Sequence, residues 1–406
     1  MKNSILFASL TAALALGLAH APALRADESD YAATMYDEDE AKEERSFLRM
    51  YLEPSHIPSP EYLESYKDGG WPYKGNETPE QLKAMSAKNQ AVYDKIVAAL
   101  PEKLSVPVAK KRKILVLTYR TGLWYHTAGA AGGLILLREA AKKYGAFELT
   151  ERYKLEGIDA KMLSEFDAVV MNNGHHSFRQ GKYGFEWPGH PRAGEWWEQA
   201  QKRTAGDQKA YDTFYNELLP AYVKNGGGLF GLHGALLRNT GTLEKPNEYG
   251  VMFGGQIDGY VHPWVNGKIA GGGTYRPVLV KILEPNNPIT FAFRDAPNAA
   301  HNSELFSYFL PTASMDSSRT LVRYAYEDRP DVTYYPKSVE RCKDFASSII
   351  WIKSYGKGRV FYNALGHDEE IFTDPCVARA NLDGLLYVTG DLKVPDAPAT
   401  AASANK

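Results

Sequence analysis

Asn225-Gly226-Gly227-Gly228-Leu229-Phe230-Gly231-Leu232-His233-Gly234-Ala235 is the stretch that decides the fold. Asp212 to Lys224, just before it, reads as a helix, and the glycines end it. Leu229 to Leu232 is apolar and too short to be a helix. A run of this kind, bounded by turn residues, reads as a strand buried on both faces. His233 then stands just past the strand end, flanked by small residues.

The same unit recurs on either side. Lys110-Lys111-Arg112-Lys113 precedes the apolar run Ile114 to Leu117, a first strand. Leu134 to Tyr144 follows as a helix closed by Gly145, Phe147 to Thr150 as a second strand, and Phe166 to Met171 as a third. Strands alternating with helices predict an α/β domain with a doubly wound, mostly parallel sheet flanked by helices. Ligands in such sheets bind beyond the carboxyl ends of the strands. Further on, 275–283 and 320–326 read as strands. Residues 347–352 and 359–363 read as a hairpin turning at Tyr355-Gly356-Lys357-Gly358, and 374–388 as a closing helix.

At 406 residues, the chain fits one large domain with additions, or two domains. Residues 1–26 read as a secretion signal: Lys2, an apolar stretch from Ile5 to Ala19, then Ala21-Pro22-Ala23 in the small-x-small cleavage pattern. No later segment approaches the roughly 20 apolar residues of a membrane span, so the expected location is periplasmic or secreted, with no membrane contact after signal removal. Residues 27–110 form an N-terminal extension, acidic at first and helical over 79–100. The tail from 393 to 406 is Ala/Pro-rich and is expected to be disordered. The formal net charge is -2, which gives no reason to expect nucleic acid as a partner. Cys342 and Cys376 either pair or stay as two thiols. Nothing in the sequence sets the oligomeric state.

Gly129-Ala130-Ala131-Gly132-Gly133 is a glycine run, but residues 120–128 separate it from the first strand. A dinucleotide motif would follow that strand directly. The run reads instead as small residues that let a helix start close to the sheet. The histidines carry more information. His126, His175, His176, His233 and His367 each follow a predicted strand, and His262 lies in Gly259-Tyr260-Val261-His262-Pro263. Imidazole serves both as a metal ligand and as an acid or base near neutral pH. Several of them on ligand-facing loops predict a shared polar site. Trp187, Trp196 and Trp197 either stack on sugar rings or pack a lid.

Taken in order, these blocks resemble the ThuA-like family, named for trehalose utilisation. Gly226 to Ala235 is similar to its central motif, and Phe253-Gly254-Gly255 with His262-Pro263 to the next block. Ser303-Glu304-Leu305-Phe306 resembles its acidic-Glu-Leu-Tyr block, with substitutions at the first and last positions. Ser354 to Tyr362 with Leu365-Gly366-His367-Asp368 resembles the closing signature. The resemblance covers 111–392. It implies a flavodoxin-like sheet related to class I glutamine amidotransferases, in which a cysteine stands on the turn after a strand and a His-x-Glu comes late in the chain. Here His233 takes the cysteine's place and His367-Asp368-Glu369 that of the His-x-Glu, so thiol-dependent glutamine hydrolysis is excluded.

Under that resemblance His233, His367, Glu304 and Asp368 are the candidate catalytic residues. His126, His175, His176 and Trp264 are the candidate substrate-binding residues. Two mechanisms fit. In one, His233, His262 and His367 hold a divalent metal, zinc or a similar ion, with Glu304 as an alternative ligand. In the other, the histidines act without metal as acid and base on a sugar or ketosugar, in an isomerisation, hydration or elimination. The expected partner is a small-molecule sugar. A non-catalytic glycan-binding module is the competing expectation, and a redox or nucleotide enzyme a third.

Overall fold

The computed structural model describes residues 47–55, 78–118, 127–153, 155–173, 208–236, 246–255, 276–294, 318–325 and 348–397, with short strand segments between 257 and 334. The secretion-signal segment, His126, His175, His176, His262, Glu304, Cys342, the three insert tryptophans and the chain after 397 lie outside the described residues.

Two helices from the N-terminal extension come first, α1 (Phe47–Leu52) and α2 (Pro79–Ala99). Thr78 starts α2 through a capping box: its backbone N–H donates to Gln81 Oε1 at 2.7 Å and Gln81 N–H donates to Thr78 Oγ1 at 3.3 Å. β1 (Arg112–Leu117) follows, then α3 (Thr127–Tyr144), β2 (Phe147–Arg152), α4 (Ala160–Leu163) and β3 (Ala168–Asn172). A helical stretch then runs through α5 (Gln208–Thr213), a π turn at Phe214–Leu218 and α6 (Leu219–Lys224) to β4 (Gly228–Leu232). The second half holds α7 (Glu248–Phe253), β5 (Arg276–Ile282), β6 (Ala300–Ser303), β7 (Arg319–Tyr324), β8 (Ser348–Tyr355), β9 (Gly358–Asn363) and α8 (Pro375–Val388).

The nine strands form one sheet in the order β2-β1-β3-β4-β9-β8-β7-β5-β6. From β2 to β9 neighbours pair in parallel. From β9 onward every pair is antiparallel. The sheet of this α/β fold is therefore mixed, where the sequence predicts a mostly parallel one. β8 and β9 are joined by the tight turn at Gly356, and β7, β5 and β6 then add with alternating direction.

Helices cover both faces, and two glycines of β4 show how. A Cβ on Gly228 would lie 2.5 Å from the Val388 carbonyl oxygen of α8, and one on Gly231 2.4 Å from the Phe253 ring of α7. Positions three apart in a strand face opposite sides, so α8 and α7 press on the two faces. α3 packs against β2 and β3, with α1 and α2 laid over it. The core is continuous: Ile114 to Leu117, Ala168 to Met171, Leu229, Phe230 and Leu232 are essentially inaccessible. The described part of the extension is fastened to this body. Asn89 Nδ2 donates to Met50 O at 3.2 Å and Tyr93 OH to Glu139 Oε1 at 2.6 Å. Ser105 hydrogen-bonds Asp383 on α8. Beyond α8 the chain runs on to 397, where Ser354 Oγ donates to Asp396 Oδ2 at 2.8 Å.

Register sets up the site. Leu232 of β4 pairs with Asn172 of β3 on one side and with Asn363 of β9 on the other. The three strands thus end level, and their outgoing loops start side by side.

Candidate functional site

His233 is the first residue beyond β4, opening a 3-10 turn (His233–Leu236). Its φ is +33°, and Asn173, the first residue after β3, has φ +50°. Among the described residues these are the two non-glycine positions with positive φ. Such backbone is costly for a side-chain-bearing residue and persists where its surroundings enforce it, typically at functional sites. Tyr362 of β9 supplies part of that enforcement, donating its hydroxyl to His233 O at 2.6 Å. The Trp351 ring, 4.3 Å away between centroids, backs Tyr362.

The His233 ring is fully buried, and its Nδ1 lies 2.6 Å from Ala364 O. A carbonyl only accepts, so Nδ1 carries the proton and the neutral ring keeps its lone pair on Nε2. Burial pulls the pKa down to about 3, with the Ala364 hydrogen bond opposing. His233 is therefore a neutral base or ligand near pH 7, not a cation.

His367 follows β9 and meets it: the ring centroids are 5.4 Å apart and the planes nearly perpendicular, at 88°. Asp368, next in the chain, opens the 3-10 turn Glu369–Thr373 by accepting from Glu370 N–H at 3.1 Å. Its other oxygen, Oδ2, is buried without a hydrogen-bond partner among the described residues and lies 4.0 Å from His367 Nδ1. Burial pushes the Asp368 pKa up to about 7, Glu369 and Glu370 add to the shift, and backbone amides oppose it. Glu369 is buried too, and its pKa is likewise raised by burial.

Helix α3 underlies these loops through its glycines. A Cβ on Gly129 would sit 2.0 Å from Gly366 O, one on Gly132 2.5 Å from the Phe372 ring, and one on Gly133 2.3 Å from Asn172 Oδ1. Gly133 thus lets the helix lie close to the sheet, as expected from sequence, while Gly129 and Gly132 seat the loop after β9.

Of the residues singled out from sequence, the structure brings together His233, His367 and Asp368. Trp264 lies in a short strand, Pro263–Val265, where it pairs with Thr333 in a separate three-stranded sheet. The residue that sequence reasoning passed over is Asn173. Its Nδ2 donates to Gly366 O at 2.8 Å and its Oδ1 accepts from Gly234 N–H at 2.9 Å. An Asn-Gly pair closing an apolar strand was the available signal, because asparagine tolerates left-handed backbone better than other side-chain-bearing residues.

For a metal, the site offers the two imidazoles of His233 and His367. An Nδ1–H held by a backbone carbonyl, as in His233, is the orientation a metal-bound imidazole needs. No group of three His, Cys, Asp or Glu side chains able to hold an ion occurs among the described residues. His262 and Glu304, the further ligands expected from sequence, lie outside the described residues.

An α/β protein with a buried histidine on the strained turn after a central strand, facing a second histidine, is the class defined so far. The family described as ThuA, trehalose utilisation, matches residues 113–388, and the chain belongs to it. Among solved structures, it is similar to a ThuA-like protein from Bacteroides uniformis (17% identity, 69% of this chain, 93% of that one, TM-score 0.46). It is also similar to one from Parabacteroides merdae (17% identity, 70% and 94%, TM-score 0.39). A cold-adapted β-galactosidase from Rahnella matches at 13% identity over 76% of this chain and 35% of that one, with TM-score 0.35. No curated protein matches.

Proposed function

We propose that this protein is an exported enzyme of carbohydrate catabolism in which His233 and His367 perform acid/base chemistry on a sugar or ketosugar. Membership of the trehalose-utilisation family supports a role in carbohydrate metabolism. The observation that carries the chemistry is the His233 ring: buried, neutral, its Nδ1 committed to Ala364 O, and set edge to face with His367 at 5.4 Å. A fixed neutral imidazole beside a second, less buried one supplies a base and a partner to shuttle the proton. A carbon-bound or hydroxyl proton of a sugar is the matching substrate feature. Isomerases, hydratases and lyases of ketosugars are the reaction classes that need it. The parallel half, ordered β2-β1-β3-β4-β9, supports placing the domain with the flavodoxin-like, doubly wound fold of class I glutamine amidotransferases.

A divalent ion between His233 and His367, with His262 or Glu304, would add polarisation of a substrate carbonyl. The test is turnover of a panel of disaccharides and ketosugars, followed by NMR, with metal analysis of the same preparation. His233→Asn and His367→Asn should each lower turnover by on the order of 10² or more. Folded variants that act as the wild type would sink the reading. Glycan binding by calorimetry that survives both substitutions, with no turnover, would favour a non-catalytic glycan-binding module.

A further inference from the structure

We infer that Asn173 is the positioning residue of the site, and that its side chain closes the backbone amide at the His233 turn. The inference rests on reading His233 and His367 as the working pair. Among the described hydrogen bonds, this one side chain spans all three outgoing loops. It belongs to the loop after β3, it holds Gly234 N–H from the loop after β4, and it holds Gly366 O from the loop after β9. Gly234 directly follows His233 and Gly366 directly precedes His367, so each bond fixes the neighbour of one histidine. Gly366 (φ +149°) would place a Cβ 3.2 Å from His233 Cβ and 3.7 Å from Asn173 Nδ2, so the three residues are wedged together. Asn173 is itself completely buried, in left-handed backbone.

The amide it holds has a further meaning. On strand–turn–helix nucleophile sites, the N–H after the nucleophile donates to the oxyanion of acyl transfer. Here that N–H already donates to Asn173 Oδ1 at 2.9 Å. The turn therefore keeps the shape of an acyl-transfer site with its anion donor satisfied internally. The turn thus offers one anion donor fewer than an acyl-transfer site, which accords with a substrate that presents a neutral hydroxyl or a C–H beside a carbonyl.

Asn173→Gly separates position from strain, because glycine adopts the same backbone without steric strain while removing both hydrogen bonds. Asn173→Asp, read at a pH where its carboxylate is ionised, keeps the acceptor for Gly234 and loses the donor to Gly366. The readouts are the ring nitrogen signals of His233 and His367 in histidine-labelled protein, assigned with the two His→Asn variants, and amide exchange at Gly234. In Asn173→Gly, exchange at Gly234 should rise about tenfold, the worth of one hydrogen bond, and both ring signals should move. In Asn173→Asp the Gly234 amide should stay protected while the His367 signal moves. Unchanged rings and exchange in a folded Asn173→Gly protein overturn the inference. If that variant does not fold, a wild-type His367 signal in Asn173→Asp overturns it instead. These signals need no turnover, so inert histidines in the sugar assay would defeat the functional reading, whereas unmoved rings would defeat the positioning by Asn173 alone.

Discussion

The imidazoles of His233 and His367 meet edge to face, with centroids 5.4 Å apart, although 134 positions separate them in the sequence (367 − 233). What joins them is the parallel pairing of β4 with β9, which ends both strands at one level through Asn363 and Leu232. The pair is thus a consequence of sheet register rather than of any local motif.

His233→Asn should separate chemistry from folding. Asparagine accepts the left-handed backbone that His233 occupies, so the strain falls while the imidazole disappears. Losing the bond to Ala364 O, which leaves a buried carbonyl short of a donor, costs about 1–3 kcal/mol. Urea unfolding should show a loss of that size. Turnover should fall by on the order of 10² or more, as expected for a general base. His367→Asn, at a side chain 13% exposed, should lose comparable turnover with a smaller change in stability.

The site should leave two opposite marks on stability against pH, measured as urea midpoints with a chelator present. His233 titrates at about 3 when folded, below the roughly 6.5 of an unfolded histidine. In that window the unfolded chain binds the proton and the folded one does not, so stability is lost as pH falls from about 6.5 towards 3. Asp368 runs the other way. Its folded pKa of about 7 lies above the roughly 3.9 of the unfolded state, so its contribution is intact in acid and lost as pH rises to about 7. His233→Asn should flatten the acid side and Asp368→Asn the neutral side. Asparagine keeps the cap on Glu370, so Asp368→Asn should also stabilise the protein above pH 7. Parallel curves for wild type and both variants would refute these assignments.

The parallel strands were legible because burial on both faces writes them as uninterrupted apolar runs, as in Ile114 to Leu117 and Leu229 to Leu232. The start of α3 was not. The sequence places that helix from Leu134, whereas it begins at Thr127, because glycines at 129, 132 and 133 hide it from propensity. Their glycine identity is explained only by contacts with loops more than 30 residues away in the chain. The mixed character of the sheet was legible only in part: the β8–β9 hairpin was read, β5 and β7 were read as strands without a direction, because direction is decided by partners, and β6 was not read at all. His233, His367 and Asp368 were legible as polar residues at strand ends. Asn173 was not, because its role is to reach across two other loops.

Gly129→Ala should test whether α3 is the seat of His367. Alanine would raise helix propensity at this position by about 1 kcal/mol. Its Cβ, however, would fall 2.0 Å from Gly366 O and 2.7 Å from His367 O, both backbone atoms that cannot swing away. Overpacking of this kind costs about 1–3 kcal/mol, occasionally more, and outweighs the propensity gain. The variant should be less stable and its His367 ring signal should move. Gly145→Ala is the control. With φ +63° and nothing within 4 Å, it should cost about 1–2 kcal/mol through backbone strain alone and leave the His367 signal in place.

Arg112 at the start of β1 should prove the more sensitive ionic anchor, because of what its removal exposes. Its Nε and Nη2 donate to Asp391 at 2.9 and 2.6 Å, and Nη1 donates to Asp167 at 3.0 Å. Asp167 keeps other partners, Lys110 Nζ at 2.8 Å and the Lys113 amide at 3.0 Å. The Asp391 side chain is 3% exposed and would retain only the Thr389 hydroxyl at 2.9 Å among its described contacts. Arg112→Met therefore strands a buried carboxylate, at a cost of about 3–5 kcal/mol. Pairing it with Asp391→Asn removes the stranded charge, so the double variant should recover much of the loss in urea unfolding. If the two losses simply add, the carboxylate is not the source of the cost and Arg112 acts through its packing instead.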